Sequence, residues 1–325
     1  MEKERERRFP WNISGILVAA LALAGCARVY QESIATKGPV TPELPTAELP
    51  IPELIPVRTT IQAVGDMNLG RYVNVKSAKY GDFFWPFLLI EGQLPEADIS
   101  IGNLESPIHL GCPATGMGLK LCAPSEAVLA LSRFGFDVVN IANNHILDYG
   151  QDGQEETIRF LSEAGIGASD EEHLVVIDRE GIRFGFIGFN RIGQWENFPV
   201  LTDEEVLSRI TESKSRVDVL IVSLHWGEEE KPQNKNQIDL GRAAVGAGAD
   251  IIIGTHPHIT QPTEKYGESV IFYSLGNFVF DQKQTRYVQE GNVAEIVFEG
   301  SDMTSYKLIP VKIENWGQPR LTNGE

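Results

Sequence analysis

The sequence predicts an α/β fold built on a largely parallel sheet, and three observations predict it. Short apolar runs of strand length alternate with stretches whose apolar residues fall at helical spacing. Turn-forming residues bound the runs, as expected for buried strands in a strand–helix alternation. The runs also end, one after another, in aspartate, asparagine, glutamate or histidine.

The elements follow in order. The run at residues 59–65 (TTIQAVG) ends at Asp66. Asp98 opens a run through ISIG to Asn103 and Glu105, and Asp137 opens one through VVNIA to Asn143, Asn144 and His145. Asp218 leads through VLIVSL to His225, and Asp250 leads through IIIGT to His256 and His258. Helix candidates lie at residues 125–135, 154–165, 203–215 and 236–247. The third of these follows Thr202 with Glu205 three positions on, the spacing of a capping box. Residues 173–189 read as a hairpin turning at Arg179-Glu180-Gly181, and 268–279 and 292–313 as further strands. Together these imply a second sheet packed on the first in one domain over 58–325, or a small separate β-subdomain after residue 260. In open parallel sheets, ligands bind beyond the carboxyl ends of the strands. The five polar run ends are therefore expected on one rim.

The N-terminus is organised differently. Residues 1–12 carry Lys3, Arg5, Arg7 and Arg8, and residues 13–24 (ISGILVAALALA) are apolar but short for a bilayer span. Leu23-Ala24-Gly25-Cys26 resembles a bacterial lipobox. That resemblance implies a signal peptide over 1–25, lipidation at Cys26 and an extracytoplasmic protein held at the membrane; an uncut anchor helix is the alternative. Residues 26–57 read as a Pro-rich, extended linker.

The chain holds 28 basic against 45 acidic residues, a net charge of -17. This disfavours nucleic acid and anionic membrane surfaces as partners. Beyond Cys26 only Cys112 and Cys122 remain. In an oxidising compartment they either pair across a short Gly/Pro-rich loop or stay as partly buried thiols. Neither belongs to a metal-type C-x-x-C.

Four of the six histidines sit at the predicted strand ends: His145, His225, His256 and His258. Imidazole nitrogen with carboxylate and amide oxygen is a ligand set for Mn, Fe or Zn, one ion or two. A pair of such ions makes a nucleophile of water at neutral pH.

The segments GDMNLGR (65–71), NLE (103–105), NNHILDYG (143–150), HWGEE (225–229), GTHPH (254–258) and SLGNFVFDQ (274–282) resemble, in order and spacing, the CapA family of poly-γ-glutamate capsule proteins. That family is similar to the calcineurin-like metallophosphoesterases. The resemblance implies a four-layer αββα sandwich with a metal centre between its sheets. It implies Asp66, Glu105, Asn144, His225, His256 and His258 as metal ligands, with Asn103 beside them. It further implies His145 as the general acid. Asp148 either orients that imidazole or caps the following turn. Arg71 either holds a substrate carboxylate or phosphate or forms a surface ion pair. Glu229 reads as a substrate or metal contact or as a solvated loop residue, and Asn277 as a substrate-side or supporting residue. Two departures stand out. Where the phosphoesterases have Asp-x-His, this chain has Asp66-Met67-Asn68, and where they have Gly-Asp it has Gly102-Asn103 followed by Glu105.

The resemblance implies a membrane-anchored metal-dependent hydrolase or transferase acting on an anionic γ-glutamyl polymer or related envelope substrate. The alternatives are a non-catalytic accessory lipoprotein working with membrane synthase subunits, and a phosphoesterase.

Overall fold

The computed structural model describes residues 56–94, 96–193 and 200–322. The signal segment, Cys26 and nearly all of the Pro-rich linker lie outside the described residues. The chain first lays down β1 (Arg58–Met67), α1 (Arg71–Tyr80), β2 (Ile99–Leu104), α2 (Ala127–Arg133), β3 (Val138–Asn140), α3 (Gly150–Glu163) and β4 (Gly167–Ser169). It then crosses to β5 (Val175–Arg179), β6 (Ile182–Asn190), α4 (Asp203–Lys214), β7 (Val219–His225), α5 (Lys235–Gly246), β8 (Ile251–Thr255), β9 (Thr263–Tyr266) and β10 (Ser269–Phe272). It returns as β11 (Asn277–Val279), β12 (Glu290–Glu299), β13 (Asp302–Glu314) and β14 (Gln318–Leu321).

Two sheets result. The first has the order β14-β13-β12-β1-β2-β3-β4, with β11 alongside the end of β1; the second has the order β5-β6-β7-β8-β10-β9. Apolar side chains of the two meet face to face, Ile61, Ile99 and Ile101 against Phe186, Ile221 and Ile253. The outer face of the first sheet packs on helices through Met67, Val139, Val73, Leu131 and Leu161. The outer face of the second packs on α4 and α5 through Leu220, Val222, Val206, Ile210 and Leu240. This is the four-layer αββα sandwich. The C-terminal strands do not form a separate subdomain: β12 pairs antiparallel with β1 along its length, and β10 pairs parallel with β8. The hydrophobic faces of these strands complete existing sheets.

The aspartates that open four of the runs share one structural task. Asp98, Asp137, Asp218 and Asp250 each accept a backbone N–H from one residue of the neighbouring strand through Oδ2. These residues are Thr60, Ser100, Arg183 and Leu220, at 2.7, 2.8, 2.9 and 2.6 Å. Each aspartate also donates its own N–H to the carbonyl of that same residue. The reciprocal pair fixes the register of each parallel strand, which in turn sets the height at which the run ends. The capping box at Thr202 and Glu205 is formed, and Asn234 with Gln237 makes another at the start of α5.

Two glycines permit close approach. A Cβ on Gly65 would lie 1.8 Å from the carbonyl oxygen of Gly276, so only glycine lets β11 reach β1. A Cβ on Gly188 would lie 1.8 Å from Oδ1 of Asn140, where the two sheets face each other.

Candidate metal centre

Register places the polar run ends at one height. Asn277, Asp66, Asn103 and Asn140 are successive partners across the first sheet. Asn190, His225 and Thr255 are successive partners across the second. The backbone N–H of His256 donates to Oδ2 of Asp66 at 3.1 Å, tying the two rows together.

Glu105 sits in the middle, fully buried. Its Oε1 lies 3.6 Å from Nε2 of His258 and 3.8 Å from Nε2 of His145. Asp66 Oδ2 lies 3.3 Å from Nδ1 of His258. Ligand-type atoms of Asp66, Glu105 and His258 all fall within 4.8 Å of one another, and so do those of Glu229, His256 and His258. His225 packs its ring 4.8 Å from that of His256 and sets Nε2 2.8 Å from Oδ1 of Asn144. Its Nδ1 is 3.0 Å from the Thr255 hydroxyl.

Electrostatics divide the imidazoles. Burial drives the pKa of His225 well below its ordinary value, with His256 and His258 adding repulsion. Burial and His258 likewise bring His256 down to about 3. Both rings are neutral, the form that ligates metals. Burial also opposes charge on His258, but the carboxylates of Glu105 and Asp66 outweigh it and raise the pKa to about 9. Burial pushes Glu105 up to about 7 against the pull of His258.

The donor set fits a divalent cation. Neither carboxylate oxygen of Glu105 has a hydrogen-bond partner, and neither has Nδ1 of His256, although all three atoms are buried. Buried polar atoms are normally satisfied, and an ion is one group that satisfies acceptors of this kind. The loop that supplies His256 and His258 is strained around Pro257, with φ of 91° and 59° at the two histidines. Such backbone persists where its surroundings hold it.

The family model for the bacterial capsule synthesis protein PGA_cap matches residues 60–282. The chain belongs to this capsule synthesis family. It is 32% identical to the capsule biosynthesis protein CapA of Bacillus anthracis over 81% of this chain and 69% of the relative. It is 35% identical to the PGA biosynthesis protein CapA of Bacillus subtilis over 77% of this chain and 70% of the relative. Among solved structures, a novel phosphatase from Mycoplasma pneumoniae superposes with a TM-score of 0.53 at 12% identity, covering 80% of this chain and 96% of that one. A hypothetical protein from Thermus thermophilus gives 0.51 at 15% identity, over 80% and 100%. These likenesses show the phosphatase-like sandwich.

Within this capsule synthesis fold the remaining site residues have definite places. His145 Nδ1 lies 2.7 Å from Oδ2 of Asp148, so Asp148 holds the ring and does not merely cap a turn. Asn103 is spent on positioning: it donates to Asp66 Oδ1 at 2.7 Å and accepts from Asn140 and Asn143. Asn277 is fully buried. Its Oδ1 lies 3.0 Å from Nδ1 of His258, and its amide donates to Gln282 and Val288. Its oxygen faces that imidazole while its amide is tied to the following loop, the arrangement of a supporting residue. Arg71 forms the ion pair, with Asp281, and keeps its guanidinium partly exposed. Glu229 is exposed on the loop after β7, beside His256 and His258. Cys112 and Cys122 are disulfide-bonded, with Cα atoms 5.9 Å apart.

Sequence reasoning passed over Thr255 and Asp281. Thr255 stands directly before His256 in the GTHPH segment, but only strand register shows it opposite His225. The two histidines away from the site, His109 and His173, pair with Glu156 and Asp170. Among the described residues no helix is long and apolar enough to cross a membrane.

Proposed function

We propose that this protein is a metal-dependent hydrolase or transferase of poly-γ-glutamate capsule synthesis, acting on a γ-glutamyl amide or ester outside the membrane to which Cys26 anchors it. One observation carries the reading: the buried Glu105 carboxylate, without hydrogen bonds, enclosed by Asp66, His258 and His145. Relatives named for capsule and PGA biosynthesis support the substrate class.

Asp66, Glu105, Asn144, His225, His256 and His258 would hold the cation, Mn, Fe or Zn by donor type. When bound, it would supply Lewis acidity to the reacting carbonyl and acidify water. The chain's own residues do the rest. Asp148 holds Nδ1–H of His145, so that the doubly protonated ring would present Nε2–H to the centre, give that proton to the departing group and be left as the neutral imidazole. Asn103 and Asn277 keep Asp66 and His258 in place. The sandwich buries the centre on the remaining sides, which strengthens charge interactions there.

A second reading has a specific observation behind it. Asn68 occupies the position of the phosphoesterase histidine, and its Oδ1 accepts the N–H of Gly70 at 2.9 Å. One ligand fewer favours a metal that organises a binding surface, in an accessory subunit of a membrane polymer synthase.

Metal analysis of the purified protein, followed by assay on γ-glutamyl oligomers and on phosphate esters with added manganese, separates these. The hydrolase reading expects release of γ-glutamyl fragments. It expects His145→Ala to lower turnover by about 10²–10⁴ with metal content kept. Full activity in His145→Ala would remove the acid assignment. Turnover of phosphate esters alone would replace the substrate class.

A further inference from the structure

A cleft next to the metal centre is built unlike the rest of this acidic surface. The Phe280 ring lies 4.7 Å from that of His258, and the Arg71 guanidinium sits 5.4 Å from the Phe280 centroid. Past Arg71 opens a cleft of about 300 Å³ lined by Arg71, Asp281, Lys283, Trp316 and the tip of the disulfide loop at Gly116–Gly118. Lys283 Nζ lies 3.4 Å from the Trp316 ring centroid. Trp316 packs on Tyr72 at 4.7 Å, and Lys76 Nζ lies 5.2 Å from the Tyr72 ring. Among the described residues no carboxylate forms an ion pair with Lys76 or Lys283. Partial burial and the nearby Lys76 lower the pKa of Lys283, as expected for two ammonium groups without a counter-charge.

The backbone adds an independent observation. Asn315 and Trp316, in the turn between β13 and β14, have φ of 52° and 69°. A tryptophan in the left-handed region is an outlier, since its Cβ crowds the following carbonyl. Trp316 is partly exposed and lines the cleft. Strain of this kind concentrates at ligand-holding sites.

We propose that this cleft is a subsite for the γ-glutamyl chain, holding repeat units distant from the reacting bond. The inference rests on the proposed function for its substrate class. Each γ-linked unit offers one carboxylate, an amide and two methylenes. Lys283, Lys76 and the exposed part of Arg71 take carboxylates; the rings of Trp316 and Tyr72 take methylenes. With Arg71, Lys283 and the neighbouring Lys76 against Asp281 alone, a locally basic cleft in a chain of net charge -17 also draws the polyanion to the centre rather than to the rest of the surface.

Calorimetric titration of the full protein with a synthetic γ-linked glutamate decamer, a γ-linked dimer and inorganic polyphosphate of similar charge tests this. The decamer is expected to bind more tightly than the dimer. Lys283→Glu and Trp316→Ala are expected to weaken decamer binding by at least about fivefold and to shrink the decamer-to-dimer ratio. Lys265→Glu, the same charge change on the second sheet, leaves decamer affinity unchanged. Melting curves check that the variants are folded. Length-dependent binding that Lys283→Glu abolishes, with no turnover in the wild type, supports the subsite and defeats the hydrolase reading. Turnover and decamer binding that both survive Lys283→Glu overturn the subsite and leave the hydrolase standing. Equal weakening by Lys265→Glu, or polyphosphate binding as tightly as the decamer, also overturns it.

Discussion

The backbone N–H of Leu121 donates to Oδ2 of Asp148 at 2.6 Å, the same oxygen that lies 2.7 Å from Nδ1 of His145. Leu121 precedes Cys122, so the disulfide loop anchors the residue that orients the proposed acid. Replacing Cys112 and Cys122 with serine should destabilise the fold by about 2–3 kcal/mol, the loop-closure contribution of so short a ring. It should also lower turnover by up to about tenfold, a fraction of what a positioned acid supplies. Chemical denaturation and steady-state kinetics with and without reductant measure the two effects. Unchanged kinetics in a destabilised variant would separate the loop from the acid.

The centre should exchange a proton for its cation. Burial raises Glu105 to about 7, and the carboxylates of Glu105 and Asp66 outweigh burial to raise His258 to about 9. Both values lie above those of the unfolded chain. Below pH 6.5 the depressed values of His225 and His256 act in the opposite sense. Above it, where those two rings are neutral in the folded and unfolded chain alike, the metal-free fold therefore loses stability as pH climbs to about 9. A cation competes with the retained proton, so affinity for Mn²⁺ should rise across the same range. Melting curves of chelator-treated protein, and calorimetry in buffers of different ionisation enthalpy, read both trends. Metal uptake without proton release would contradict them.

Asn277→Ala should weaken metal binding by about 10–100-fold, the usual effect of removing a group that orients a ligating imidazole. His258 Nδ1 loses the oxygen at 3.0 Å that fixes its tautomer. A competition titration against a chromogenic chelator gives the affinity. Wild-type affinity in this variant would show that Asp66 alone suffices to hold the ring.

How much of this was readable beforehand depends on how local the cause is. The β2, β3, β7 and β8 runs and their polar ends were legible because both the apolar stretch and the turn that ends it lie within ten residues. The helix α1 was not. It buries only Val73, Asn74 and Ser77, so its apolar periodicity is weak. The three-residue β11 was folded into a longer predicted strand, since its separate pairing with β1 depends on the distant Gly65–Gly276 approach. The ligand-type residues could be named from the family resemblance, and support was one of the two readings of Asn277, but the positioning roles of Asn103 and Thr255 could not be named. Those roles are set by strand register, which joins residues far apart in the chain.

The reciprocal aspartate locks give a prediction on stability. Arg183 lowers Asp218 to about 2 through side-chain and backbone hydrogen bonds. A depressed carboxyl stabilises the fold above its ordinary value of 3.8 and loses that contribution as pH falls to about 2. Asp218→Asn should therefore cost about 1 kcal/mol at pH 7, a modest figure because the pair is partly solvated. The gap between variant and wild type should close on acidification from pH 4 to pH 2. Urea titrations across that range measure it, and a gap independent of pH would assign the effect to shape alone.

The proposed ligands also divide by chain position. The oxygen donors Asp66, Glu105 and Asn144 all come from the first sheet and its loops, and the nitrogen donors His225, His256 and His258 all follow the second. During synthesis from the N-terminus, the growing polypeptide thus has only the hard, weakly selective members of this ligand set until its later half is made. Selective capture of a borderline metal such as zinc becomes feasible only once Pro257 and its neighbours have emerged and the halves have docked. Loading then reports that folding is finished.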